Sequence, residues 1–271
     1  MPIEAVLFDL GDTLWHFPAM PPVERIRGET VRRISELLRS WGIDPAVNGR
    51  QFIGRDIRLA VTEADERAFA TDRVSPDFVG ITQEVLRRHG LDLPRARAAE
   101  VWDAWNLGGP FFGRQLFDDV LPTLEWLRSR GFRIGCVTNR MYGGPRFRQE
   151  LADCGLAAYF ETIAVSCDEG YLKPHPKLFE RALRDLGLPA ERCAMVGDNL
   201  IADVRGANAL GMTSIWRTHP GREVDPGAPD LPPGWQTPGP DGPDPADPLT
   251  KPHYVIGSIA GLRELPLFAD A

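Results

Sequence analysis

Six short apolar runs punctuate the chain, one at its start and five after residue 130: IEAVLFD, FRIGCVTN, TIAVSCD, RCAMVGD, TSIWRT and HYVIGS. None alternates apolar with polar residues, so each suits a strand covered on both faces. That is the pattern of a parallel sheet packed between helices. Helical segments lie between the runs. In DVLPTLEWLRSRG, Leu121, Leu124 and Leu127 share a face and Gly131 supplies a stop; PKLFERALRDLG repeats the pattern and ends at Gly187. Strand–helix alternation from 113 onwards therefore predicts an α/β fold built on an open sheet.

The interval 16–112 reads differently. Val23, Ile26, Thr30, Ile34, Leu37 and Trp41 follow a three-four spacing that stops at Gly42, and further helices are expected at 45–70, 77–89 and 95–106. A helical insertion directly after the first strand would lie over the strand ends as a lid or cap. Residues 219–252 are saturated with Pro, Gly and Asp and read as a long irregular loop.

Charge and cysteine usage narrow the partners. A formal charge of −7 argues against a nucleic-acid ligand held through phosphate contacts. Cys136, Cys154, Cys167 and Cys193 sit singly, the usage expected of reduced thiols in a cytoplasmic protein. MPIEAVLFDLGD carries no basic region ahead of its short apolar run, so it reads as a strand and not a signal peptide, and no stretch is long enough for a membrane span. Lysine occurs only at 173, 177 and 251, so a step that needs an amine has few candidates.

Open parallel sheets bind ligands outside the carboxyl ends of their strands. Asp9 ends the first run, Thr138 and Asn139 end the second, Asp198 ends the fourth, and Lys173 lies in the loop GYLKPHP. Singly, each has an ordinary reading: a cap or turn for Asp9, Thr138, Asn139 and Asp198, a solvated charge for Lys173, a first-turn helix acid for Asp203. Convergence changes this. Carboxylates crowded at one sheet edge repel unless a cation sits among them. Mg²⁺ takes oxygen ligands and leaves positions for a substrate phosphate, whose oxygens need a lysine and a hydroxyl.

Four pieces in order, FDLGDTL, CVTN, the KP of LKPHP, and VGDNLIAD followed by VRGANALGM, make the chain resemble the haloacid dehalogenase superfamily of hydrolases, mostly Mg²⁺-dependent phosphatases. YVIGSIAGL resembles that family's closing strand and helix. The likeness spans 1–15 and 113–263. It implies a Rossmann-like open parallel sheet core (1–15 and 113–271, with the loop 219–252 inside it) and a C1-type helical cap at 16–112. It also implies roles. Asp9 is the expected nucleophile, forming an aspartyl-phosphate. Asp198, Asp9 and the backbone carbonyl of Gly11 would hold Mg²⁺, with Asp203 behind them holding a metal-bound water or the lysine. Thr138, beside Asn139, would hydrogen-bond the phosphoryl group of a small phosphorylated substrate, and Lys173 would offset charge on nucleophile and phosphate.

One position departs from the family. Its phosphatases usually place an acid–base Asp two residues after the nucleophile; here that residue is Gly11, and the acid follows as Asp12. Such proton transfer is worth roughly 10²–10⁴-fold. Three readings stand. Asp12 or His16 supplies the proton, the substrate has a good leaving group such as an acyl or aryl phosphate, or the chain binds phosphorylated ligands with degenerate catalysis. Phosphonatases need a cap lysine, and 16–112 has none. Dehalogenases of this family usually carry an aromatic residue at this position and no metal loop, so Gly11 and VGDN count against that chemistry. A phosphomutase would need the missing acid. Substrate choice would fall to the cap, through Arg25, Arg27, Arg55 or Arg58 unless these are simply solvated, and to Trp15, His16 and Phe17 at its hinge.

Overall fold

The computed structural model describes residues 2–218 and 246–269. The chain opens with β1 (Ala5–Phe8) and a two-residue strand β2 (Trp15–His16). Four helices follow: α1 (Val23–Ser40), α2 (Ile53–Ala70), α3 (Phe78–Arg88) and α4 (Arg95–Trp105). It returns through β3 (Gln115–Leu116), α5 (Val120–Ser129), β4 (Arg133–Thr138), α6 (Gly144–Asp153), β5 (Thr162–Val165), α7 (Ser166–Glu169) and α8 (Pro176–Leu186). β6 (Cys193–Gly197), α9 (Gly206–Ala209), β7 (Thr213–Arg217) and β8 (Tyr254–Ile256) complete it.

Six strands form one parallel sheet in the order β5-β4-β1-β6-β7-β8. β1 lies at its centre, with Leu7 facing Gly135 of β4 on one side and Met195 of β6 on the other. The strand order reverses beside β1, so the crevice at its carboxyl end is the topological switch point where ligands bind in such sheets. Alternation along β1 builds both cores. Val6 and Phe8 join Leu124, Leu127, Phe147, Ile215 and Leu262 on one face. Ala5 and Leu7 join Val137, Phe179, Met195 and Ala207 on the other. Each such leucine or phenylalanine stabilises the fold by about 1.5–3 kcal/mol through burial.

The helices α1–α4 have their own apolar centre, built from Ile34, Leu38, Ile57, Val61, Leu86, Val101 and Trp102. Trp102 lies between Phe78 and Trp105 at centroid distances of 5.2 and 5.1 Å. The antiparallel pair β2–β3 closes the insertion, matching Trp15 with Leu116. A second seam ties it to the sheet domain: Leu172 N–H donates to Arg73 O (2.7 Å) and Ser75 N–H to Gly170 O (3.0 Å).

Two local expectations are corrected. The helix expected from 45 starts at Ile53, because Asn48 and Gly49 take left-handed backbone angles within a 3₁₀ segment, Val47–Phe52. The apolar run TIAVSCD leaves the sheet after Val165. Ser166 stops it: its hydroxyl donates to Arg140 O and accepts from Arg140 N–H, and α7 begins there. Of the expected loop 219–252, residues 219–245 lie outside the described residues; Pro248–Thr250 form a 3₁₀ turn capped by Asp247. No helix among the described residues is long and apolar enough to cross a membrane.

Candidate active site

β1 ends at Phe8, and the next amide, of Asp9, still donates to Val196 O at 2.9 Å. The ladder thus carries one residue past the strand, and the Asp9 carboxylate stands at the sheet edge. β6 delivers Asp198 directly after Gly197. The chain then enters a π-helical turn, Leu200–Arg205, whose start is capped by the Asn199 side chain accepting from Ile201 and Ala202 N–H. This turn brings Asp203 back over the strand end. A Cβ on Gly197 would fall 2.2 Å from the Asp203 carboxyl, so only glycine fits there.

Lys173 completes the cluster from the other side. It is 2% exposed, and its ammonium spends its three donors on Asp9 Oδ1 (2.5 Å), Asp203 Oδ1 (2.6 Å) and Val137 O (2.9 Å). Asn139 holds the lysine's own backbone, accepting from Lys173 N–H at 2.8 Å. Thr138, buried, is the last residue of β4.

Carboxylate oxygens of Asp9, Asp198 and Asp203 all lie within 4.8 Å of one another. Burial, with the charges of Asp9, Asp203 and Asp12 added, holds the Asp198 carboxyl well above the usual range despite Lys173. Burial also pushes Asp203 up, to about 6, against the pull of Lys173. Burial works against the charge on Lys173 itself, but Asp203 and Asp9 outweigh it and raise the ammonium. One ammonium thus faces three acids. The residual negative charge, presented only by oxygens, suits a hard divalent cation.

Gly11 sits in open space: an added Cβ meets nothing within 4 Å. Asp12 follows with φ 52°, its N–H donating to Trp15 O at 2.7 Å and its carbonyl accepting from Arg217 Nη1 at 2.8 Å. Arg217 lies 4.0 Å over the Phe117 ring. His16 stacks on that same ring at 4.4 Å. Of the arginines on the inserted helices, Arg55 is held by Asp56 (2.8 Å) on an exposed face, and Arg25 lies 5.7 Å over Phe111.

The structure therefore gathers Asp9, Asp198, Asp203 and Lys173, with Asn139 anchoring the lysine. Sequence reasoning missed three participants. Thr13 Oγ1 donates to Asp198 Oδ1 (3.5 Å), Trp216 Nε1 donates to Asp198 O (2.8 Å), and Arg217 fixes the Asp12 turn. The signal available for two of them was the Trp-Arg pair ending TSIWRT at the same sheet edge as Asp198.

A glyceraldehyde 3-phosphate phosphatase of Methanopyrus kandleri is 30% identical over 79% of this chain and 83% of its own. A phosphoserine phosphatase of Thermus thermophilus is 39% identical over a shorter stretch, 43% of this chain and 46% of its own. Among solved structures, a 2-haloacid dehalogenase from Pseudomonas syringae shares the fold at 23% identity, with a TM-score of 0.56 over 97% of each chain. The hydrolase YfnB of Bacillus subtilis, solved bound to magnesium, does so at 21% identity and TM-score 0.53, over 97% of this chain and 98% of its own. The profile of the haloacid dehalogenase-like hydrolases matches residues 3–211. With three acids and one buried lysine meeting where that profile runs through β1, β4 and β6, the chain belongs to the haloacid dehalogenase-like hydrolase family and is a hydrolase.

Proposed function

We propose that this hydrolase is a Mg²⁺-dependent phosphatase that cleaves a small phosphorylated metabolite through an aspartyl-phosphate on Asp9. The observation that carries the reading is the pair of bonds from Lys173 to Asp9 and Asp203 beside Asp198. Lys173 donates to Oδ1 of Asp9 and keeps oriented the carboxylate that attacks phosphorus. Thr138 donates its hydroxyl to a phosphoryl oxygen. Asp9, Asp198 and the Gly11 carbonyl would hold Mg²⁺, with Asp203 supporting. When bound, the ion neutralises charge between carboxylate and phosphate and aligns the displacement.

Proton delivery falls to Asp12. Its turn is fixed by Trp15 and Arg217, and its charge reaches Asp198. Asp12 directly follows Gly11 at the strand end, whereas His16 is stacked on Phe117. In this reading α1–α4 form the cap over the strand ends. Relatives named for glyceraldehyde 3-phosphate, phosphoserine and phosphoglycolate support a small phosphate ester as substrate.

The test is release of phosphate from p-nitrophenyl phosphate and from a panel of phosphorylated metabolites, with Mg²⁺ and with excess chelator. Hydrolysis that needs the metal and disappears in Asp9→Asn is expected. Activity that survives chelation overturns metal dependence, and tight binding without release replaces hydrolysis by ligand recognition.

A further inference from the structure

Where the insertion meets the sheet domain, a crevice of about 420 Å³ opens between Arg73 on one side and His175, Ile201, Arg205 and Asp247 on the other. It is lined by none of the acids of the active site. Arg73 is half-buried, with φ 61°, a left-handed backbone that a long side chain adopts only under strain. The end of α2 and the seam together hold that conformation. Arg73 donates its N–H to Ala68 O, and its carbonyl accepts from Leu172.

The guanidinium of Arg73 lies over the Phe69 ring at 5.1 Å, and no carboxylate among the described residues pairs with it. Arg205 gives Nε to Asp247 at 2.9 Å and leaves its two terminal amino groups unengaged among the described residues. Burial, and then the charge of Arg205, push Arg73 below its ordinary range. The acids nearby have other work: Asp72 accepts from Val74 N–H, and Asp247 caps its own turn through Leu249 N–H besides holding Arg205. The far wall is rigid, because Asn208 donates to the carbonyls of Leu249 and Lys251.

Asp247 answers the charge of Arg205, which leaves the Arg73 guanidinium, on the opposite wall of the same crevice, with no carboxylate of its own among the described residues. Guanidinium groups with free amino edges match the paired oxygens of phosphate, sulfate or carboxylate. We propose that the Arg73–Arg205 crevice is an oxyanion-binding subsite separate from the Asp9 centre. Its occupant is either a free inorganic anion or a second anionic group of the substrate; the recognising chemistry is the same.

Sulfate titrated into the metal-free protein, read by calorimetry and by melting temperature, tests this without any catalysis. Hydrolysis and the subsite can therefore fail independently. Sulfate should bind wild type and Thr138→Val alike, and at least about tenfold more weakly to Arg73→Gln and Arg205→Gln, the loss of one charge-assisted contact. Arg73→Lys, which keeps the charge but not the fork, should fall between. No sulfate binding to wild type, equal binding by Arg73→Gln, or a loss confined to Thr138→Val overturns the proposal. The source follows from phosphate esters with and without a second anionic group. A fall in their kcat/KM ratio in Arg73→Gln assigns the subsite to substrate, and an unchanged ratio alongside lost sulfate binding assigns it to a free anion.

Discussion

Lys173 and Asp9, 164 positions apart in the chain, are joined by a 2.5 Å hydrogen bond buried at the centre of the sheet edge. The same ammonium reaches Asp203, so one cation orients the proposed nucleophile and its neighbour together.

Lys173→Met should therefore cost stability as well as rate. Removing one partner of a buried ion pair typically destabilises by about 3–5 kcal/mol. Urea unfolding of the metal-free variant should show a loss of that order, and added Mg²⁺ should recover part of it. A variant as stable as wild type would mean that the acids need no countercharge.

Gly11→Asp is sterically open, since its Cβ meets nothing within 4 Å. If the missing acid limits cleavage, the variant should raise kcat on alkyl phosphates by up to about 10²-fold and leave aryl phosphates nearly unchanged. Rates on both substrate types, measured side by side, decide it. An unchanged ratio means that the acid missing at position 11 is not what limits cleavage.

Gly197→Ala pushes a methyl to 2.2 Å from the Asp203 carboxyl. Asp203 must move, and its bond to Lys173 goes with it. We expect a loss of about 1–3 kcal/mol from overpacking and a disproportionate fall in kcat. Melting temperature and steady-state kinetics separate the two effects.

Asp65, on α2, is 5% exposed, and burial pushes its carboxyl from 3.8 to about 6. A raised acid favours the protonated native state. The wild type is therefore penalised as pH climbs from 3.8 to 6 and carries the full penalty above that. Asp65→Asn should gain up to about 3 kcal/mol relative to wild type between pH 4 and pH 7. Denaturant midpoints across that range test it; a flat difference would assign no titration to Asp65.

Much of the sheet was legible because its strands are short, apolar on both faces and end on residues of distinct chemistry. Asp9, Thr138, Lys173, Asp198 and Asp203 could be read at strand ends or in the loops beside them, and the structure brings the acids and the lysine together. What stayed hidden depends on contacts without a period. β2 and β3 are two residues each, too short to pattern, and exist because Trp15 and Leu116 meet. Arg217 could not be tied to the Asp12 carbonyl across 205 positions of chain. The turn at 200–205 reads as an ordinary helix start until Gly197 and Asp203 are seen to touch.

Because β1 is hydrogen-bonded on both sides, to β4 and β6, and the Asp9 amide continues that ladder, no fraying edge can release it. Its amide protons should exchange with solvent only when the whole sheet opens. The proposed nucleophile is thereby anchored to the part of the fold least given to local opening, so its position should not follow fluctuations elsewhere in the chain.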